Sequence, residues 1–514
     1  MTAKAQASRA AAGLAPKVYV RMYRALEPVP AAQRAYKGLL GDCFLIRVER
    51  GGKQSTILID CGILLGSTNA KPRMAAVAAD IVAQCGGDLA KGIPGTLDLL
   101  VVTHPHWDHV SGFVHASDVF LDPEKLRIAN LWMSWAEGPD DKAEAIREKF
   151  DASTAAFAAL ATRLAREAAR FGTDAAIRAT NGLEGFMGIA ANGRLTGRDV
   201  IEQLKKTAGN SRFLEPGTVL QTPGHNPLRA YVLGPPRDHK FLFKDDPSAG
   251  DARETYLDAP SVDCAYILRY AAGEDLDPTR DWPFAASYCQ IRMGDLAAAA
   301  PDAPEGSAIA WLRRSYFGEA PTGSATERLM AERRVDTDWL TPLAPLAAAL
   351  DNHINNSSLA LAFDLPDGSL MLFPADAQVG NWLSWNAQPY VDETGCSQTA
   401  AELLARTRLY KVGHHGSENA TLSEGGLALM TRDDLFAMIP TDEELGSRQG
   451  RGGWQMPNPR VKSALIERTK GRVLRNDRGY SAAERAADPD LAQADPDFFK
   501  RLTETDLFLE YQLL

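Results

Sequence analysis

The sequence predicts an α/β fold interrupted by two inserted segments. Three observations lead there. Short alternating or β-branched runs recur towards both ends of the chain, with helical spacing between them. A histidine-rich polar cluster follows directly on an apolar run that reads as a buried strand. Residues 124–215 and 237–345 break the alternation, the first with Ala-, Glu-, Arg- and Leu-rich helical spacing, the second with mixed, polar and locally Pro-rich sequence.

In chain order, residues 17–24 (KVYVRMYR), 43–49 (CFLIRVE) and 55–60 (STILID) read as strands, the last ending in the turn Asp60-Cys61-Gly62. A helix is expected over 71–86, closed by Gly86-Gly87, and a buried strand over 97–103 (LDLLVVT). Helical spacing at 140–170 and 197–207 lies within the first insertion. Strands resume at 217–221 and 229–234, then at 357–364 and 369–374, the last two joined by Pro366-Asp367-Gly368, a hairpin signal. A helix at 397–406, a strand at 408–412 and an amphipathic helix at 458–469 complete the pattern. The expected organisation is a flexible N-terminus at 1–16, a first core half at 17–123, a helical insertion at 124–215, core strands at 216–236, a second insertion at 237–345 and a second core half at 346–514.

The formal net charge of −10 does not favour broad nucleic-acid binding, because phosphate affinity comes from Lys and Arg. No apolar stretch approaches the ~20 residues of a membrane helix, and the first 15 residues lack an apolar signal core. The six cysteines are scattered without a CxxC pair, which suits reduced thiols and a cytoplasmic protein. Any zinc would therefore be held by His and carboxylate.

Three of the nine histidines fall in one loop, His104-Pro-His106-Trp-Asp108-His109. The end of a strand in an open α/β sheet is where such folds keep their sites. The loop can turn His104 and His106 toward one metal, while Asp108 and His109, entering the next helix, face a second. Nitrogen and oxygen donors without thiolate suit Zn²⁺, Mn²⁺ or Fe²⁺. No GxSxG elbow or Cys–His device stands out that would support a nucleophilic alternative.

This loop, with four further segments, resembles the metallo-β-lactamase superfamily and, within it, the ComEC-like hydrolase branch. Residues 40–62 (LGDCFLIRV…STILIDCG) resemble the opening Gly-Asp strand and its Asp-x-Gly turn. Residues 355–359 (NNSSL), 372–376 (LFPAD) and 411–417 (KVGHHGS) resemble a strand start, the strand ending in a bridging Asp, and the Lys-x-x-His-His-Gly-Ser turn. The tail from Met456 resembles the closing helix and strand. The resemblance implies an αββα sandwich with two Zn²⁺ ions, Mn²⁺ being an alternative. It implies that His104 and His106 hold the first metal. Asp108, His109 and one histidine of the 414–415 pair hold the second, and Asp376 bridges them. His414 is the preferred ligand, leaving His415 and Ser417 to meet a phosphate-like group, with the reverse order open. Asp60 would orient the loop histidines, and Asn356 would sit beside the substrate. The first metal's third ligand is open between His225, in a Thr-Pro-Gly-His segment, and His353.

The leading functional expectation is hydrolysis of a phosphodiester, nucleic acid or nucleotide among them, by a metal-activated hydroxide, with Asp108 guiding the water proton. Arg460, Lys462, Lys470, Arg472 and Arg475 could add a basic rim. The alternatives are a small ester, thioester or lactone hydrolase, and a metal-poor scaffold with a vestigial core. No membrane partner is expected, and the helical insertion could support an oligomer.

Overall fold

The computed structural model describes residues 15–27, 36–151, 197–244, 304–317, 324, 326, 353–448 and 454–514. The chain divides into two compact units, one of 1–152, 184–260 and 349–514, the other of 153–183 and 261–348. In the second unit the helix Ala308–Phe317 is described.

The frame of the first unit is two sheets. One contains β1 (Lys17–Tyr23), β2 (Phe44–Arg50), β3 (Lys53–Ile59), β5 (Leu99–Val101), β7 (Leu131–Ser134) and β8 (Ser211–Leu214). The C-terminal hairpin β18 (Leu502–Glu504) and β19 (Phe508–Gln512) adds to it in the order β18-β19-β1-β2-β3-β5-β7-β8. The second sheet contains β9 (Val219–Gln221), β10 (Arg229–Gly234), β11 (Ala360–Asp364), β12 (Leu370–Phe373), β15 (Thr407–Lys411), β16 (Phe436–Ile439) and β17 (Val473–Arg475). Its order is β17-β16-β15-β12-β11-β10-β9. Two short pairs lie apart, parallel β4 (Gly95–Leu97) with β6 (Leu126–Ile128) and antiparallel β13 (Tyr390–Val391) with β14 (Ser397–Gln398).

Each sheet is antiparallel on one side and parallel on the other. In the first, β3, β5, β7 and β8 are parallel; in the second, β12, β15, β16 and β17 are. The period-2 alternation of the strands sorts the side chains. Val18, Val20, Phe44, Ile46, Ile57 and Ile59 of the first sheet meet Val232, Leu361, Phe373 and Met438 of the second in one core. The rings of Phe44 and Phe373 meet edge to face across it, 5.6 Å apart. On the outer faces, Leu45, Leu58 and Leu100 pack under the helices Ala70–Gln84, Trp107–His115 and Gly197–Thr207, and Leu372, Tyr410 and Ala437 under Val379–Ser384, Ala400–Ala405 and Pro459–Thr469. This is the four-layer αββα sandwich expected from the sequence.

Two expectations are corrected here. β7 and β8 lie inside the range assigned to the helical insertion, 124–215, yet both are strands of the first sheet. The tail, assigned to the second core half, returns to the first sheet, where β19 pairs with β1. Helix is described at 141–151 and 197–207, and the rest of the helical stretch lies outside the described residues, as does most of 237–345. Among the described residues no helix is long and apolar enough to cross a membrane.

Candidate metal centre

The parallel strands of both sheets deliver their following loops to one place. β5 ends at Val101; Val102 and Thr103 lead to His104, and the helix Trp107–His115 begins behind His106. That helix start is tied down by backbone bonds. Asp42 N and Cys61 N donate to the carbonyls of Asp108 and His109 at 2.9 and 2.8 Å. So close an approach needs a residue without a side chain at Gly62, where a Cβ would lie 2.0 Å from the Asp108 carbonyl oxygen. Gly62→Ala is therefore expected to push the helix start away and weaken metal binding at Asp108 and His109 by at least about tenfold, as changes to the groups that orient metal ligands do. Metal titration of the purified variant reads this directly, and wild-type affinity would contradict it.

Opposite, β12 is followed by Pro374, Ala375 and Asp376, and β15 by Val412, Gly413, His414 and His415. Among the described residues seven non-glycine positions have positive φ, and four lie here: Asp60 (55°), Ala375 (53°), His414 (42°) and His415 (52°). Each left-handed residue costs on the order of 1–3 kcal/mol, and such strain gathers at functional sites.

One donor atom from each of Asp108, His109, Asp376 and His415 lies within 4.8 Å of all the others. His109 Nε2 is 3.0 Å from Asp376 Oδ2, and His415 Nε2 is 2.8 Å from Asp108 Oδ2. The opposite ring nitrogens are held from behind. His109 Nδ1 lies 2.8 Å from Asp60 Oδ2, and His415 Nδ1 lies 2.7 Å from the Pro440 carbonyl, which can only accept. Both Nε2 atoms therefore point inward, the arrangement in which an outer partner fixes a metal-ligating imidazole. Asp60, fully buried, also accepts from the Thr103 amide (2.8 Å) and hydroxyl (2.6 Å), so it binds the end of β3 to the histidine loop. A divalent cation fits this donor set, which is all oxygen and imidazole nitrogen.

His104 and His106 stand beside it. His104 Nε2 lies 3.0 Å from His106 Nδ1, and the Thr103 hydroxyl is 3.1 Å from His104 Nδ1. Burial, with His109 and His106 adding to it, holds His104 well below its ordinary pKa; burial brings His106 to about 4 despite Asp108. Both are therefore neutral donors. His109 goes the other way: burial alone would lower it, but Asp376, Asp42, Asp108 and Asp60 together hold it well above the usual value. Burial would also lower His415, and its bond to Asp108 raises it instead. For Asp376 and Asp108, burial opposes ionisation and is outweighed by His109 first, so both stay below the usual carboxylate range.

The structure places the two histidines of the pair differently. His415 is grouped with the carboxylates, whereas His414 stands outside that group, its Nε2 4.0 Å from Asp376 Oδ2 and its amide donating to Asp376 Oδ1 at 3.1 Å. His225 is not brought to the centre. It is exposed in the β9–β10 turn, which is pinned at the far end of the first sheet: Asn226 N donates to Ser55 Oγ at 2.7 Å, and Asn226 Nδ2 to the Val48 and Lys53 carbonyls. His353, the rival, packs edge-on against Phe243, ring centroids 5.1 Å apart. Ser417 gives its hydroxyl to Asn419, and Asn356 spends its amide on the Lys244 carbonyl and the Gln378 and Asn381 amides, so it braces the loop after β12.

The basic rim does not form around the site. Lys462 pairs with Asp490, Lys470 with Asp433, and Arg475 with Asp477 and Glu443, while Arg472 donates to the Leu435 carbonyl. None of these residues, nor the exposed Arg460, lines the cavity over the centre.

Two charged residues at the centre, Lys411 and Asp42, carry roles that sequence reasoning missed. Lys411, 1% exposed, contacts Asp42 and lies 3.5 Å from Asp376 Oδ1 and 3.1 Å from the Ala375 carbonyl. Burial would strip its proton, but Asp42 and Asp376 hold its pKa above the ordinary value. The signal was an Asp and a Lys embedded in apolar strand runs, LLGDCFLI and LYKV, where an unpaired charge would be too costly.

Residues 36–232 match the family model of the metallo-beta-lactamase superfamily, which supports that placement and covers the histidine loop but neither Asp376 nor His415. No curated protein and no solved structure matches the chain.

Proposed function

We propose that this chain is a metal-dependent hydrolase of small phosphodiesters, working at a centre formed by Asp108, His109, Asp376 and His415. The single observation that carries the reading is the convergence of two imidazoles and two carboxylates within 4.8 Å. A second cation would take His104 Nε2 and His106 Nδ1, with Asp376 between the two. His414, which lines the same cavity as His106, would stand in for His225 there. Bound divalent cations supply Lewis acidity that brings a water's pKa near neutrality and stabilises charge on the electrophile's oxygens.

The chain's own groups do the rest. Asp60 and the Pro440 carbonyl keep His109 and His415 turned inward. Lys411 occupies the Oδ1 side of Asp376, leaving Oδ2 toward His109. Asp108, at the first turn of its helix, is the carboxylate that can take a water's proton. Phosphodiester as the class rests on the resemblance of the NNSSL, LFPAD and KVGHHGS segments and on the fit of an anionic oxygen to a doubly cationic centre. A small uncharged ester is the second reading, favoured by the apolar side of the cavity.

The test is metal analysis together with turnover of bis-p-nitrophenyl phosphate by Zn²⁺- or Mn²⁺-loaded protein, with Asp108→Ala as control. Fewer than one metal per chain, or esters cleaved with phosphodiesters untouched, would overturn it. Because Lys462, Lys470 and Arg475 are in ion pairs and none of the five basic residues near the C-terminus lines the cavity, activity on phosphodiesters is expected to change less than about threefold between 50 and 200 mM salt. A nucleic-acid enzyme making several phosphate contacts would lose about a thousandfold in affinity over that range.

A further inference from the structure

Thr103, buried at the end of β5, touches the partners of both ion positions. Its hydroxyl lies 2.6 Å from Asp60 Oδ2 and 3.1 Å from His104 Nδ1, and its amide donates to Asp60 Oδ1 at 2.8 Å. Asp60 Oδ2 also lies 2.8 Å from His109 Nδ1, which is 3.5 Å from the hydroxyl and so bonds to the carboxylate instead. A hydroxyl has one proton to give, and a carboxylate accepts. The Thr103 proton therefore goes to Asp60, and the hydroxyl oxygen is left to accept from His104. That places the His104 proton on Nδ1 and leaves Nε2 bare, facing His106 Nδ1 at 3.0 Å.

Resting on the two-ion centre of the hydrolase reading above, we propose that Thr103 is the positioning residue of the first ion, carrying the orienting effect of Asp60 to His104. One carboxylate oxygen then governs an imidazole at each position. The two branches are unequal: His109 meets Asp60 directly, whereas His104 meets it only through the Thr103 hydroxyl. Removing that hydroxyl cuts the branch to the first ion and leaves the branch to the second. Valine keeps the size and β-branching of threonine without the hydroxyl, and serine keeps the hydroxyl without the methyl. A packing role for Thr103 would make Thr103→Val harmless and Thr103→Ser damaging. The positioning role demands the reverse order.

The inference is tested by calorimetric titration of the full-length, metal-stripped protein with Zn²⁺, His106→Ala marking which binding phase belongs to the first ion. Thr103→Val is expected to weaken that phase by about ten- to a hundredfold and the other by less than about threefold. Thr103→Ser should stay within about threefold of wild type in both. A first phase unchanged in Thr103→Val, both phases weakened equally, Thr103→Ser as damaging as Thr103→Val, or a wild type that binds a single ion overturns the proposal. Heteronuclear NMR of the metal-free, histidine-labelled protein gives a readout independent of metal. His104 should carry its proton on Nδ1 in wild type and Thr103→Ser, and a wild-type proton on Nε2 overturns the proposal. Turnover of bis-p-nitrophenyl phosphate is measured alongside. Selective loss of the first ion in Thr103→Val, with no diester hydrolysed by wild type, would sink the hydrolase reading and support the role of Thr103. Hydrolysis by wild type, with both ions bound normally in Thr103→Val, would do the reverse.

Discussion

Asp376→Ala is expected to leave a folded protein that retains less than one metal per chain and hydrolyses phosphodiesters at least roughly a thousandfold more slowly. Asp376 touches donors from both halves of the fold: His109 Nε2 at 3.0 Å, and the His414 amide at 3.1 Å. Without it, His109 loses the carboxylate that faces its Nε2, and the two ion positions would lose the oxygen they share. The fold survives because Lys411 keeps its contact with Asp42. Elemental analysis after desalting, together with a thermal melt of the metal-free variant, decides the matter. A variant that binds metal at wild-type stoichiometry would remove Asp376 from the centre.

Lys411→Met is expected to do the opposite, lowering stability first and chemistry second. The ammonium stands between Asp42 and Asp376, both buried. Removing one partner of a buried ion pair costs about 3–5 kcal/mol, because the other charge is left without compensation. For a unit of several hundred residues that corresponds to a fall in Tm on the order of 5 °C. Divalent metal should recover part of the loss, since a cation on Asp376 replaces the missing positive charge. Melts of metal-free and metal-loaded protein test both statements, and an unchanged Tm for the metal-free variant would refute the first.

The histidine loop was legible because its pattern is local. A strand end, two histidines two residues apart, and a helix start carrying Asp108 and His109 all lie in six residues, and sequence spacing sets their geometry. Asp376 and the histidine pair were legible only as segments resembling relatives, and the order within the pair was not. Which imidazole faces the carboxylates depends on backbone φ at 414 and 415 and on the Pro440 carbonyl 25 residues away. His225 misled because Thr-Pro-Gly-His is a local likeness, whereas the turn that carries it is held by bonds from the neighbouring Asn226 to the distant Ser55, Val48 and Lys53. The same reason hid β7, β8 and the C-terminal hairpin. Short strands of three to five residues carry too little alternation to be told from their surroundings, and it is pairing with remote strands that makes them strands.

The placement of the centre has a thermodynamic consequence. Asp108 and His109 belong to the first sheet's half and Asp376 and His415 to the second's, so an ion held by all four would cross-link two layers that are otherwise joined by apolar packing and by polar contacts such as Lys411 with Asp42. Ligand linkage then adds RT ln(1 + [M]/Kd) to the work of separating them, about 4 kcal/mol at a thousandfold excess over Kd. Chelation should therefore loosen the whole sandwich, much as reducing a disulfide would, in a protein whose four described cysteines are all free.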